Sequence, residues 1–330
     1  MSALPSVRIV WNNCTVGEWN ALVAAVPRST LTQTFAYAEA MLLTDRWQPR
    51  LGLVEWDDQP AGLVLALEKN LIRLVRIAKI HRGPLWLPEA DSPALREATL
   101  GALRRALPPG ITRWTTLVPE LPESDETAAL LARCGFRRAA GAGYRTIWLD
   151  LRPDLETLRA ALRGNWRNHL RQAEASPLVV EEDGEHRNLP WLVENYLEDK
   201  AERGYRGPSG PLTVRLRNAL HKGGGPQSGV LLLCARDSTG ATADGPETRV
   251  AGALFLRHGK TATYQIGLNQ PEGRRHHAHQ LLLWQGICRL KAAGVWWLDL
   301  GGINPEHAPG VTAFKRGLGG DEVTLAGTYA

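Results

Sequence analysis

Residues 264–330 read YQIGLNQPEGRRHHAHQLLLWQGICRLKAAGVWWLDLGGINPEHAPGVTAFKRGLGGDEVTLAGTYA. Tyr264 to Leu268 alternates as a half-buried strand does, and the Pro- and Gly-bearing Asn269 to Gly273 predicts a turn. His276 to Ala293 repeats apolar residues at helical spacing (Ala278, Leu281, Leu282, Ile287, Leu290), and Gly294 sits where a helix ends. Val295 to Leu300 is a short apolar run, expected to be a buried strand that opens at Asp299 into Gly301-Gly302 and a Pro-containing loop. A short helix over Val311 to Arg316 then carries Phe314-Lys315, and Gly319-Gly320 lead into a closing strand.

Working back, Val7 to Trp11 predicts a strand, and Thr15-Val16-Gly17-Glu18 has capping-box spacing at the start of a helix reaching Val26. Arg50 to Trp56 and Ala61 to Lys69 form an expected hairpin about Asp57-Asp58-Gln59-Pro60. Ser92-Pro93 opens a helix to Leu107 that Pro108-Pro109-Gly110 stops. A strand over Thr112 to Val118, a helix ending at Cys134-Gly135-Phe136 and a strand over Arg145 to Leu151 follow. Leu158 to Ala175 reads as one basic helix, with Arg159, Arg163, Arg167 and Arg171 four apart on one face. Asn188 to Gly229 holds two helices about a Pro/Gly-rich loop. Val230 to Arg236 and Arg249 to Leu268 are strands, with a loop at Ser238 to Glu247 and a turn at His258-Gly259-Lys260. The two halves share an element order, and Gly135-Phe136 stands in one where Gly319-Gly320 stands in the other. This predicts an α/β (α+β) chain of two tandem modules, 1–152 and 153–330, each a mixed sheet flanked by helices.

Composition narrows the class. A chain of 330 residues has room for two cores. Lys and Arg number 39 against 34 Asp and Glu, a net charge of +5, and the pI is near 9.2. That balance suits a polyanionic partner and equally an ordinary soluble enzyme. Cys14, Cys134, Cys234 and Cys288 are scattered, without CxxC or a histidine at metal spacing, so neither a disulfide framework nor a metal site is expected. His276, His277 and His279 point different ways from a helix start and make no metal site by themselves. No run approaches the ~18 apolar residues of a membrane span. The N-terminus lacks a signal-peptide pattern, and a cytoplasmic protein is expected.

Several motifs together resemble the Fem (FemABX) family: Leu281–Trp284, the strand end Leu298–Gly302, Phe314-Lys315 before Gly317–Gly320, and Gly327-Thr328-Tyr329. The front of the chain adds Gln33-Thr34-Phe35 with Tyr37, His81-Arg82-Gly83-Pro84, and Trp166-Arg167-Asn168 through Ala173-Glu174. The resemblance implies tandem GNAT-type acyltransferase modules that move an amino acid from aminoacyl-tRNA onto a peptide amine, with no cofactor besides the charged tRNA. Asn188 to Gly229 has neither room nor heptads for a coiled-coil arm, as in the armless FemX type. Lys315, with Phe314, matches the family's active-site pair near the tRNA 3′ end. Arg203 matches an arginine that meets the phosphates of a nucleotide-linked acceptor, with Tyr205 and Arg206 beside it. Glu39-Ala40-Met41 and Leu85-Trp86-Leu87 depart from the pattern of enzymes acting on wall precursors. The implied acceptor is therefore either a peptide natural-product intermediate or a peptidoglycan precursor, handled by a monomer.

The reaction that the resemblance implies has simple requirements. A neutral amine attacking an ester that is already activated needs positioning and a cation for the oxyanion, not a nucleophilic triad. By the same resemblance Lys315 would be that cation, the plainer role being an exposed charge on a short helix, and beside two glycine pairs it is expected outside the core. Asp299 caps the loop after its strand. Arg163 and Arg167, with Arg274 and Arg275, are assigned to tRNA phosphates, the alternative being a solvated face. A surface ion pair with Asp199 or Glu202 is the plainer role for Arg203. Two other functions stay open. In a CoA-dependent N-acyltransferase, Gln270-Pro271-Glu272-Gly273 would begin a pyrophosphate-binding turn whose last small position is filled by Arg275. A tandem module that only binds RNA or peptide is the third.

Overall fold

The computed structural model describes residues 6–71, 74–223, 228–238 and 249–330. They divide into two compact units. One runs to Arg145 and takes in Lys222, Gly223 and Val323–Ala330, and the other holds Thr146–His221 and Ser228–Glu322.

In the first unit, β1 (Val7–Trp11), β2 (Gln48–Trp56), β3 (Gln59–Leu71) and β4 (Val75–His81) form an antiparallel meander, and β5 (Leu85–Trp86) pairs with β3. The helix α1 (Val16–Ala25) starts with both arms of the expected capping box between Thr15 and Glu18. α2 spans Phe35–Asp45. The β2–β3 hairpin turns at Asp57 and Asp58, both at positive φ (49° and 62°), a backbone whose twist matches that of paired strands. α3 (Pro93–Ala106) is capped by Ser92 and carries the chain over to β6 (Arg113–Val118), parallel to β4, as a parallel pair requires. α4 (Asp125–Arg133) ends at Gly135, φ 82°. Leu95, Leu100, Leu103 and Leu131 pack with Val64, Ile80, Leu117 and Tyr329 in one core.

In the second unit, β7 (Arg145–Asp150) precedes α5 (Leu155–Ala161), α6 (Gly164–Glu174), β8 (Leu178–Glu182), α7 (Leu189–Arg203) and α8 (Gly210–Gly223). Next come β9 (Ser228–Asp237), β10 (Arg249–His258), β11 (Thr261–Asn269) and α9 (Pro271–Arg275). α10 (Ala278–Ala292), β12 (Trp297–Gly302) and α11 (Pro309–Arg316) follow, and β13 (Asp321–Thr324) joins this sheet as the chain passes back to the first unit at Val323. The sheet order is β13-β7-β12-β11-β10-β9-β8. As in the first unit, a four-stranded antiparallel meander is followed by a crossover helix, α10, and a parallel strand, β12. α10 lies close on the sheet: a Cβ on Gly286 would come within 2.5 Å of the Phe255 ring. Leu281, Leu282, Ile287 and Leu290 fill the core beneath it. The chain thus has two mixed sheets flanked by helices.

Five sequence readings need correction. The chain divides between Arg145 and Thr146 rather than after Arg152, because β7 is a strand of the second sheet. The last residues do not stay with the second module either: Leu117 pairs with Tyr329, and Arg137 exchanges hydrogen bonds with Ala330. The basic helix is broken into α5 and α6, since Leu162 and Arg163 adopt extended backbone, so its four arginines do not share a face. The turn before α10 contains α9. β4 and β8 were hidden by their charged, outward positions (Arg76, Lys79, Glu181, Glu182). The loop read over Ser238 to Glu247 lies, from 239 on, outside the described residues. No helix among the described residues is long and apolar enough to cross a membrane.

Gln33 joins β3 to the end of β4. Fully buried, it accepts from Leu65 N–H (2.7 Å) and donates to the His81 carbonyl (2.8 Å). Gln33→Ala should cost about 1–3 kcal/mol, because the buried Leu65 N–H loses its acceptor while the His81 carbonyl keeps only the Thr32 hydroxyl (2.8 Å). The urea midpoint of the first unit should fall accordingly; an unshifted midpoint would contradict this role.

Candidate active site

The site forms where two neighbouring strands part. The parallel ladder of β11 and β12 covers only Thr261–Thr263 with Trp297–Asp299. At that level both strands change register against their outer neighbours. On β11, Gln265 is skipped between the pairs Phe255–Tyr264 and Leu254–Ile266. On β12, Leu300 and Gly301 intervene before Gly302 meets Thr146. Such bulges re-aim side chains and end pairing. Gly301 has φ 74°, and a Cβ there would lie 3.4 Å from the Tyr264 carbonyl and 3.6 Å from Lys315 Nζ, so glycine serves both backbone and space. Asp299, 1% exposed, fixes the bend: its Oδ1 accepts from Gly301 N–H (2.9 Å) and from Thr146 Oγ1 (2.5 Å). That is the capping role expected of it.

Lys315 enters the gap from α11. Contrary to the expectation that it lies outside the core, it is 8% exposed, and its Nζ donates to the Gly302 carbonyl at 2.9 Å. The Tyr264 ring centre is 5.8 Å from that ammonium. Burial pushes the ammonium down to a pKa of about 8, and nearby Asp299 only partly opposes the shift. Phe314 is set between Trp166 (5.9 Å) and His279 (5.3 Å). A Cβ on Gly317 would lie 2.4 Å from the Trp166 indole, which shows how tightly the end of α11 packs. Tyr264 Oη and His279 Nε2 share a hydrogen bond of 2.8 Å. Burial, then Lys315 and Arg274, lower His279 to about 4, so the imidazole is neutral at pH 7; burial likewise raises the Tyr264 phenol. Gly267 makes room for this pair, since a Cβ there would overlap both Tyr264 Oη and His279 Nε2.

The other predicted residues distribute unevenly. Arg203 and Arg274 meet on Asp199 Oδ1 (2.8 and 3.1 Å), and Tyr205 donates to Asp199 Oδ2 (3.2 Å). The plainer role of Arg203 as an ion-pair partner is therefore present, and it gathers residues that the sequence assigned to different ligands. Tyr205 also adds to the rise in the Tyr264 phenol, and Arg274 to the lowering of His279. Arg206 is exposed. Arg275 pairs with Glu272 on the surface. Arg163 and Arg167 are exposed at the start of α6, whereas Arg159 turns back to Glu174 and the Trp284 ring. Arg167 keeps one donor on the Ala160 carbonyl (3.1 Å), and Arg171 reaches Asn168. Burial pushes the thiols of Cys234 (to about 12) and Cys288 upward, which makes neither a thiolate nucleophile at neutral pH. Sequence reasoning missed Tyr264, His279 and Trp166 as site residues. Their pairings cross elements, and only Gly267, a glycine inside a strand, hinted at a close approach.

Residues 160–316 match the family model of the acetyltransferase (GNAT) domain. No curated protein matches the chain. Among solved structures it is similar to FemX, with a TM-score of 0.76 and 17% identity over 97% of this chain and 96% of that one. The C-terminal domain of a candidate lysylphosphatidylglycerol synthetase from Agrobacterium fabrum gives a TM-score of 0.54 and 14% identity over 96% and 91% of the two chains. A tandem GNAT protein from the clavulanic acid biosynthesis pathway gives 0.51 and 16% over 99% and 98%. The chain therefore has a FemX-like tandem GNAT fold, with its acetyltransferase (GNAT) domain match at residues 160–316.

Proposed function

We propose that this protein is an aminoacyl-tRNA-dependent aminoacyltransferase that forms a peptide bond on the amine of an acceptor peptide. The observation that carries the reading is the buried Lys315 ammonium at the point where β11 and β12 part. A GNAT domain match and a FemX-like fold support acyl transfer as the class of reaction. The acceptor nitrogen bonds to the ester carbonyl carbon, and the carbonyl oxygen takes the negative charge. The nitrogen then loses a proton, the ester C–O bond breaks, and the leaving ribose oxygen takes up a proton. Lys315, charged at pH 7 and in a water-poor setting, stabilises the oxyanion more than the neutral ester. Its pKa of about 8 also suits it to give a proton to the leaving oxygen and regain one from the amine. Tyr264 faces the ammonium with its ring, and the neutral His279 holds the phenol in place. Arg163 and Arg167 are available for tRNA phosphates, and Arg206 for an anionic acceptor.

The GNAT match also favours a second reading, CoA-dependent N-acylation. The Gln270–Arg275 segment argues against it. Gly273 is buried, and a Cβ there would lie 2.4 Å from Asn269 Oδ1 and 2.6 Å from the Val250 carbonyl. The glycine is thus explained by packing on β10 rather than by a pyrophosphate cradle.

Four outcomes test the reading. Lys315→Ala should lower turnover by about 10²–10³, with tRNA affinity nearly unchanged and partial rescue in Lys315→Arg. In the wild type the ammonium is the working form, so turnover should decline as pH rises through about 8. That limb should be absent in the alanine variant, and equal pH profiles would refute the assignment. With charged tRNA and acceptor extract, product should vanish on RNase treatment and be indifferent to acetyl-CoA; tRNA-free transfer from acetyl-CoA would establish the second reading instead. Reversing Arg163 and Arg167 to Glu should weaken tRNA binding and flatten its salt dependence by about one unit or slightly less per lost phosphate contact. An unchanged slope would return both to an ordinary solvated face.

A further inference from the structure

The fold joins three metal-capable side chains that the sequence keeps apart. Asp237 ends β9, Glu272 lies in α9 and His276 closes it, and one ligand atom of each lies within 4.8 Å of the others. Glu272 and His276 are one helical turn apart, and the turn is closed by His276 N–H donating to the Glu272 carbonyl at 3.3 Å. Ligands at i and i+4 on a helix project to one side and chelate a single ion. His276 Nε2 stands 3.5 Å from Glu272 Oε1. That is long for a hydrogen bond, yet two donors each about 2.1 Å from one tetrahedral ion are about 3.4 Å apart. The other oxygen, Oε2, is held by Arg275, so the carboxylate is oriented with Oε1 toward His276. A partner outside the ligand shell commonly orients a metal ligand in this way. α9 itself is held down by Gly273 against Val250 and Asn269, by Gln270 N–H on the Val250 carbonyl (2.9 Å) and by Arg274 on Asp199.

We propose that Asp237, Glu272 and His276 bind one divalent transition-metal ion, which ties the end of β9 to α9. The imidazole selects against Mg²⁺ and Ca²⁺, and the two carboxylates select against soft Cu(I), leaving the divalent first-row ions, of which Zn²⁺ and Mn²⁺ serve as probes. Three protein ligands leave a coordination position open. Asp237 and Glu272 bring two negative charges to a divalent ion, and Arg275 on Glu272 holds the four side chains at one net negative charge when His276 is neutral. Sequence spacing conceals the site because Asp237 is remote in the chain from the helix that bears the other two ligands.

The test titrates chelator-treated full-length protein, its thiols alkylated, with ZnCl₂ and separately with MnCl₂ by calorimetry. One equivalent of at least one of the two ions should bind and raise Tm. Asp237→Asn and His276→Asn should each weaken that binding by at least about 10–100-fold, the range seen even for residues one layer further from a metal. His277→Asn, which removes a neighbouring imidazole stacked on His169, should bind as the wild type does. The inference is overturned if the wild type binds neither ion, or if binding survives unchanged in the Asp237 and His276 variants.

Discussion

The burial of one ammonium group governs how the second unit is built. Lys315 is pulled from the ordinary lysine range to a pKa of about 8, and burial outweighs the opposing pull of Asp299. A shift of that size is worth about 3 kcal/mol at 1.36 kcal/mol per unit, a large share of a typical folding free energy. The sign follows from proton linkage: between about pH 8 and the ordinary lysine value, the unfolded chain holds the proton and the folded chain releases it. The cost is therefore full below about pH 8 and is relieved as pH rises across that window. A chain that keeps such a group under a backbone carbonyl and an aromatic ring bears a local cost at a place where charge is useful.

Neighbouring features serve that placement. Bulges in β11 and β12 end their shared ladder after three residue pairs, and the chain past Asp299 is bent by a glycine at positive φ. Asp299 spends its hydrogen bonds on holding this bend, through Gly301 and Thr146, so its charge acts on Lys315 from a fixed position. Trp166, Phe314, His279, Tyr264 and Phe255 succeed one another at ring separations between 5.3 and 6.2 Å. They form an apolar wall that keeps the local dielectric low and makes a single cation effective.

Much of this was legible in the sequence, and the rest was not for identifiable reasons. Thr15 with Glu18, the Asp57-Asp58 turn, Ser92-Pro93 and the α10 periodicity are local signals that tertiary structure did not override. The break at Leu162-Arg163 was missed because helical spacing continues across it; only Gly164 marks the restart. Phe314-Lys315 was legible as a motif, but its burial was not, because nothing in the local sequence shows that β11 and β12 separate beside it. The Tyr264–His279 bond and the meeting of Arg203, Arg274 and Tyr205 on Asp199 depend on pairings across elements. No period or spacing encodes them.

The central claim is that Lys315 is a desolvated, readily titrated ammonium. Nitrogen-15 NMR of protein labelled in its lysine side chains, with the Lys315 signal assigned by its loss in a substituted variant, measures this directly. The account predicts a midpoint near pH 8 for that one resonance, well below those of the surface lysines. A Lys315 midpoint in the ordinary lysine range, above pH 10, would contradict it.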